Sequence, residues 1–197
     1  MANEIARPLA AVVAAARRTL PAAGEIARRH ERIAAAGDTE VILADVSGSM
    51  AEQLEHGARK IDVLQAALDR VRPDWPSAIV IAFATLPQRC AGPLPDPGGN
   101  TALHLALAEA ERLRPRRTLV IADGRPDDAG AALRAADHLT GTLDTLYIGP
   151  DHDITAVGFM RDLARRGGGR SAARSLVLGP AAIAEGIRAL LPPGGAR

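Results

Sequence analysis

The sequence lacks the residues on which several common kinds of protein chemistry depend. Cys90 is the only cysteine among the 197 residues, so neither an intrachain disulfide nor a cysteine-clustered zinc site can form. Lys60 is the only lysine, and it follows Ala-Arg, whereas the lysine of a P-loop follows a glycine-rich run. Schiff-base chemistry would also have to use that single position.

The chain also lacks an excess of charge of either sign and a long apolar run. Its 24 basic and 23 acidic residues are scattered and leave a formal charge of +1, whereas nucleic-acid-binding proteins concentrate basic side chains on one face. The apolar patch at residues 8–16 follows acidic Glu4 and ends at Arg17, so it is too short to span a bilayer and lacks the basic start of a signal peptide. We therefore expect no nucleic-acid partner, no membrane segment and, because a lone cysteine permits a reducing compartment, a cytoplasmic location.

The length suits one well-buried domain with short appendages. Helical patterns at residues 3–20 and 25–36 precede a change of pattern at Gly37, which indicates a helical extension ahead of the main domain. The predicted parts are an N-terminal helical extension (1–37), one domain (38–191) and a disordered tail (192–197).

Within the predicted domain, apolar strands alternate with helices. The run at residues 40–46 is β-branched and apolar without alternation, as in a parallel strand that is buried on both faces, and helical spacing follows at residues 61–71. This order predicts an α/β fold with a doubly wound, mostly parallel sheet flanked by helices. Further strands are predicted at residues 77–84, 86–90 (antiparallel), 117–123, 142–149 and after Gly169, and further helices at residues 101–113, 129–139, 155–166 and 181–191.

Side chains with oxygen atoms stand where the predicted strands end, which is where open α/β sheets bind ligands. Alternation along an extended loop would bring Asp45, Ser47 and Ser49 to one side, and Thr101 and Asp123 follow later strands. Two carboxylates and three hydroxyls, without imidazole or thiolate groups, are the hard donors that Mg²⁺ prefers. The sequence therefore predicts a Mg²⁺ site, with Mn²⁺ as a substitute.

These motifs resemble the metal-ion-dependent adhesion site of von Willebrand factor A (vWA) domains. The resemblance rests on DVSGS at residues 45–49, a threonine at 101 shortly after a glycine, and Asp-Gly at 123–124, and it extends over about residues 39–190. It implies a Rossmann-like vWA fold.

The resemblance also implies a role for each site residue. The hydroxyls of Ser47, Ser49 and Thr101 would coordinate the metal, and Asp45 and Asp123 would hold it directly or through water. A carboxylate from an Asp or Glu of a partner protein would complete the octahedron. Free-standing intracellular domains similar to this one often work beside MoxR-type AAA+ ATPases, so such an ATPase is one expected partner.

We expect a protein-binding module that is not an enzyme, although two other functions stay open. In a Mg²⁺-dependent phosphoesterase the metal would polarise a phosphate, but no separate general base is evident near the motif. An aspartyl phosphatase would carry a second carboxylate two positions after Asp45, where this chain has Ser47. The remaining alternative is a structural assembly subunit whose metal site is idle.

Three polar residues near the motif have ordinary structural explanations. Asp127 and Asp128 follow Pro126 at a predicted helix start, where capping and the helix dipole are sufficient reasons for acidic residues. His104 lies about one helical turn after Thr101, and a partly buried helix histidine is commoner than a ligand.

Overall fold

Parallel strands and helices alternate along the part of the chain that the computed structural model describes, residues 23–150 and 152–191. The predicted order of elements from residue 40 onwards is confirmed, with bounds that differ by a few residues. The strands are β1 (Glu40–Asp45), β2 (Ile79–Phe83), β3 (Pro87–Cys90), β4 (Arg117–Ala122), β5 (Thr142–Tyr147) and β6 (Gly168–Ala173). The helices are α1 (Ala23–Ala35), α2 (Lys60–Val71), α3 (Leu103–Glu111), α4 (Ala129–His138), α5 (Ile154–Arg166) and α6 (Gly179–Leu190).

The chain divides after Glu31 into two compact units, so α1 contributes residues to both. In the larger unit, Arg32 is fixed by its side chain, which donates to the carbonyl of Arg166 at 2.7 Å, and by its own carbonyl, which accepts the N–H of Gly141 at 3.1 Å. The predicted helix at residues 3–20 and the predicted tail at 192–197 lie outside the described residues. The predicted division of the chain at residue 37 stays a prediction.

The six strands form one sheet in the order β3-β2-β1-β4-β5-β6. All neighbouring pairs are parallel except β2 and β3, which form the predicted antiparallel pair. β2 and β3 lie on one side of β1, and β4, β5 and β6 lie on the other. The direction in which successive strands are added therefore reverses between β1 and β4. This is the switch point at which doubly wound sheets open a crevice for ligands.

Helices cover both faces of the sheet and bury β1 from Val41 to Asp45. Ile42 and Ala44 pack on the side of α2 and α6, whereas Val41 and Leu43 pack on the side of α3, α4 and α5. Burial on both faces explains why the sequence of this strand is apolar throughout, without alternation.

One helix begins later than its pattern predicted. α3 begins at Leu103, not at Thr101, because the carbonyl of Thr101 accepts the N–H of Asp127 at 3.2 Å and is not the helical acceptor for the N–H of Leu105. No helix among the described residues is both long and apolar enough to cross a membrane.

Candidate metal centre

Two aspartates come together at the switch point of the sheet. Asp45 is the last residue of β1, and Asp123 directly follows the adjacent strand β4. The two strands are parallel, so both carboxylates lie at the carboxyl edge of the sheet, as the sequence predicted. Both side chains are buried, with 1% of Asp45 and 6% of Asp123 exposed.

The Asp45 carboxylate is only partly satisfied by the protein. Its Oδ1 accepts the N–H of Ser47 at 2.8 Å, but its buried Oδ2 has no hydrogen-bond partner among the described residues. Burial raises the pKa of Asp45 to about 7, although hydrogen bonds from Ser47 oppose the rise and the negative charge of Asp123 adds to it. A buried carboxylate oxygen without a partner is costly unless a cation or a proton reaches it.

The two serines of the motif connect this region to Asp123. Ser47 Oγ and Ser49 Oγ lie 3.2 Å apart, and Ser49 Oγ donates to Asp123 Oδ1 at 2.8 Å. The 3₁₀ turn at Gly48–Ala51 places these hydroxyls directly above the end of β1. The oxygens of all three side chains are therefore close enough to approach one ion.

Backbone hydrogen bonds hold a second loop against the motif. The N–H of Gly48 donates to the carbonyl of Gly99 at 3.1 Å, and the N–H of Gly98 donates to the carbonyl of Val46 at 2.9 Å. Gly99, not Gly48, has the left-handed φ of 76°, and a Cβ there would collide with the hydroxyl of Thr85. The turn of this second loop therefore requires a glycine at position 99.

Asp127 fixes the position of Thr101, which the sequence did not predict. Asp127 Oδ2 accepts the N–H of Thr101 at 2.9 Å, and the N–H of Asp127 donates to the carbonyl of Thr101 at 3.2 Å. Asp128 has the capping role predicted for it, because its Oδ1 accepts the N–H of Ala131 at 2.7 Å at the start of α4.

An open cleft of about 400 Å³ lies above these groups. Four predicted ligands, Ser47, Ser49, Thr101 and Asp123, line it, whereas Asp45 lies beneath them and His104 is outside the lining. The other side chains that line the cleft are Glu52, Lys60, Asn100, Arg125 and Asp127.

Lys60 is the most important residue that the sequence analysis did not place in the site. Its Nζ lies 2.8 Å from Asp123 Oδ2 and 2.6 Å from Glu52 Oε2, and 12% of its side chain is exposed. Burial alone would lower the pKa of Lys60, but hydrogen bonds to Asp123 and Glu52 raise it above its ordinary value. Its position as the first residue of the helix after β1 was the available signal, because that helix begins at the same edge of the sheet.

The donor set fits a hard divalent cation that retains several water ligands. No three His, Cys, Asp or Glu side chains gather into a metal-binding group within residues 23–150 and 152–191. A cation here would rely on two carboxylates and on neutral hydroxyls. Mg²⁺ accepts such sparse protein ligation because it usually keeps part of its water shell. The unpartnered Asp45 Oδ2 is the feature that such a cation would satisfy, directly or through water.

No protein-family model and no curated protein matches the sequence, but solved structures match the fold. An aerotolerance-related membrane protein from Bacteroides fragilis is 16% identical with a TM-score of 0.58, over 80% of this chain and 98% of that one. The manganese-loaded TRAP protein of Plasmodium vivax is 16% identical with a TM-score of 0.53, over 78% of this chain and 73% of that one. The pilus adhesin SpaC of Lactobacillus rhamnosus GG is 11% identical with a TM-score of 0.57, over 78% of this chain and 30% of that one. These similarities confirm the predicted α/β class and show a vWA-like fold.

Proposed function

We propose that this protein is a metal-dependent protein-binding module and has no catalytic activity of its own. Mg²⁺, or Mn²⁺ in its place, would be held by Asp45, Ser47, Ser49, Thr101 and Asp123, and an Asp or Glu of a partner protein would bind to the ion. The observation that carries the proposal is the buried, unpartnered oxygen of Asp45 beneath a cleft lined by hydroxyls.

The charges of the proposed ligands favour an anionic partner. Ser47, Ser49 and Thr101 contribute oxygen without negative charge, so the two aspartates alone offset the divalent ion. When bound, the ion would supply a coordination position and an attraction for an outside carboxylate. The residues on the protein side would orient that position, since hydrogen bonds from both loops fix the backbone around it.

The carboxylates beside the proposed metal are already engaged, which argues against hydrolysis. Glu52 binds the Lys60 ammonium, and Asp127 accepts the N–H of Thr101. No histidine lines the described cleft. A phosphoesterase would need a general base to activate water, and in that role either carboxylate would have to share or give up the contact that one of its oxygens makes.

Two of the similar structures are consistent with this proposal. One is a pilus adhesin, and another is a protein solved with manganese. We extend the proposal to a cytoplasmic protein whose partner is an AAA+ ATPase of the MoxR type, as the motif resemblance implies.

The test is capture of partners from a lysate of the source organism on immobilised protein. We expect capture in Mg²⁺ and its loss in EDTA or on Ser49→Ala. Ser77→Ala is the matched control, because Ser77 is exposed and lies before β2, outside the cleft. Substitution of the captured partner's acidic residue should then show coupling to Ser49→Ala of about 2 kcal/mol.

Two results would contradict the proposal. The first is that a folded Ser49→Ala protein captures as much partner as the wild type and that EDTA does not reduce the capture. The other is metal-dependent hydrolysis of nucleotides or phosphoesters that Asp123→Ala abolishes, which would favour the enzyme alternative.

A further inference from the structure

The Lys60 ammonium occupies the carboxylate that the proposed metal would need. Asp123 Oδ2 accepts from Lys60 Nζ at 2.8 Å, while Asp123 Oδ1 accepts from Ser49 Oγ at 2.8 Å. Both oxygens of a nearly buried carboxylate are thus engaged by donors of this chain. A divalent ion that draws on Asp123 needs lone pairs of those same oxygens, directly or through water.

The ammonium and a divalent ion would also repel each other. Lys60 and Ser49 are both bonded to Asp123, so an ion at the serine hydroxyls would lie within a few ångströms of the ammonium. Like charges that close interact strongly where solvent is partly excluded, and 12% of the Lys60 side chain is exposed. This repulsion would weaken the contact between Lys60 and Asp123 once a metal is bound.

Glu52 can hold the Lys60 ammonium after the ammonium leaves Asp123. Glu52 Oε2 lies 2.6 Å from Lys60 Nζ, and 64% of the Glu52 side chain is exposed. The backbone of Glu52 joins the two segments, because its N–H donates to the carbonyl of Ser49 and its carbonyl accepts the N–H of Lys60. A small rotation of the flexible lysine side chain would break the Asp123 contact and keep the Glu52 contact.

We propose that Lys60 is an internal counter-cation that binds Asp123 in the metal-free protein and releases it to Glu52 when a divalent ion enters. Competition with this ammonium lowers the affinity of the site for the metal. The inference depends on the metal site of the proposed function. It adds that Lys60 sets the metal concentration at which the protein can bind its partner.

The first test is a Mn²⁺ titration followed by electron paramagnetic resonance, in which free Mn²⁺ gives the signal. Lys60→Met removes the charge and keeps a side chain of similar length, and Lys60→Gln is the second variant should the first fold poorly. We expect either variant to bind Mn²⁺ about tenfold more tightly than the wild type, or better.

Arg59→Met is the matched control for a general change of charge. Arg59 is the neighbouring cation, but 43% of its side chain is exposed, and it pairs with Asp62 and Asp96 outside the cleft. Since its charge is screened by solvent, its removal should change Mn²⁺ affinity by less than about twofold.

The second test uses the wild-type protein and the fact that Lys60 is its only lysine. Protein labelled with ¹³C and ¹⁵N in lysine gives one side-chain ammonium environment in an NMR spectrum. Saturation with diamagnetic Mg²⁺ should shift the Cε and Nζ resonances of Lys60, because the ammonium exchanges its Asp123 contact for Glu52 alone.

The possible outcomes separate this inference from the proposed function. If wild type and Lys60→Met bind Mn²⁺ equally well, or if the lysine resonances stay unchanged at saturating Mg²⁺, the inference is wrong and the metal site stands. If neither protein binds Mn²⁺ at millimolar concentrations, the proposed function is wrong and the inference falls with it.

Discussion

Asp45 in β1 and Asp144 in β5 are both buried in the same sheet, but the protein satisfies them differently. Asp144 Oδ1 accepts the N–H of Arg170 at 2.6 Å, and the Arg170 guanidinium lies 3.9 Å away. Burial raises the pKa of Asp144, while the charges of Arg170 and Arg117 limit the rise. Asp45 has only the N–H of Ser47 on one oxygen, and the more distant Lys60 lowers its pKa least of the contributing groups.

The difference separates a structural carboxylate from one suited to an outside ligand. Asp144 lies within β5, where the chain itself supplies the compensating charge. Asp45 lies at the carboxyl edge, beneath a cleft, with one oxygen unpartnered. A buried charge without a partner lowers the free energy of unfolding. The charge of Asp45 therefore destabilises the metal-free protein, and a bound cation would remove that cost. Matched substitutions at the two positions test this account.

The first expected difference concerns metal affinity. Asp45→Asn removes half of the negative charge that the proposed site contributes, so we expect it to weaken Mn²⁺ binding by about 100-fold, or about 2.7 kcal/mol. Asp144→Asn should leave the affinity within about twofold. Equilibrium dialysis with Mn²⁺ measures both, and equal losses at the two positions would remove the distinction between them.

The pH dependence of stability should depend on Asp45 more than on Asp144. With a pKa of about 7, folded Asp45 keeps a proton that the unfolded chain releases near its ordinary value of 3.8. The stabilisation is complete below that ordinary pKa and is lost as the pH rises through about 7. Because each unit of pKa shift corresponds to about 1.4 kcal/mol, we expect metal-free wild type to lose about 4 kcal/mol over this window.

Urea unfolding in EDTA at a series of pH values measures that loss. Asp45→Asn, which cannot ionise, should remove most of the slope and be more stable than the wild type at pH 8. Asp144→Asn should remove less of it. A wild-type profile that is flat between pH 4 and 7, or a slope that Asp45→Asn leaves intact, would contradict the pKa assigned to Asp45.

Metal addition should stabilise the protein by a smaller amount. At a Mg²⁺ concentration ten times the dissociation constant, linkage predicts a gain of about 1.4 kcal/mol. The gain should survive Asp144→Asn and disappear in Asp45→Asn. Differential scanning calorimetry with and without Mg²⁺ measures this, and a melting temperature that neither Mg²⁺ nor EDTA changes would count against metal binding.

The smallest expected effect is that of Ser49→Ala on the metal-free fold. Ser49 lies at the rim of the cleft, outside the apolar core, but its hydroxyl donates to the nearly buried Asp123, so its loss should lower the free energy of unfolding by about 1 kcal/mol in EDTA. Partner capture should nevertheless fall to the level seen in EDTA. Urea unfolding monitored by circular dichroism supplies the stability measurement, and a loss of several kcal/mol would mean that Ser49 has a structural role.

The sheet and the motif positions were predictable because their signals are local. The apolar run of β1 predicts a strand buried on both faces, and Asp45, Ser47 and Ser49 follow it directly. Parallel strands end at one edge, so Asp123 could be placed at the same edge of the sheet as Asp45, and the motif resemblance implied that both approach one metal. None of these steps requires knowledge of side-chain contacts between residues that are far apart in the chain.

The contacts of Lys60 and Asp127 were not predictable from the sequence. Lys60 reaches Asp123 across 63 positions of the chain, and Asp127 binds Thr101 across 26. Each contact depends on how a long or exposed side chain turns after the sheet has formed. The late start of α3 has a similar cause, because the carbonyl of Thr101 binds the N–H of Asp127 and is not the helical acceptor for the N–H of Leu105.

Anomalous diffraction from crystals grown with Mn²⁺ would show whether the loops after β1 and β4 hold a divalent cation. We expect one manganese peak in the cleft, roughly 2.2 Å from the hydroxyl oxygens of Ser47 and Ser49, with the Lys60 ammonium withdrawn toward Glu52. A well-ordered cleft without a manganese peak, with Lys60 still on Asp123 at millimolar Mn²⁺, would contradict this expectation.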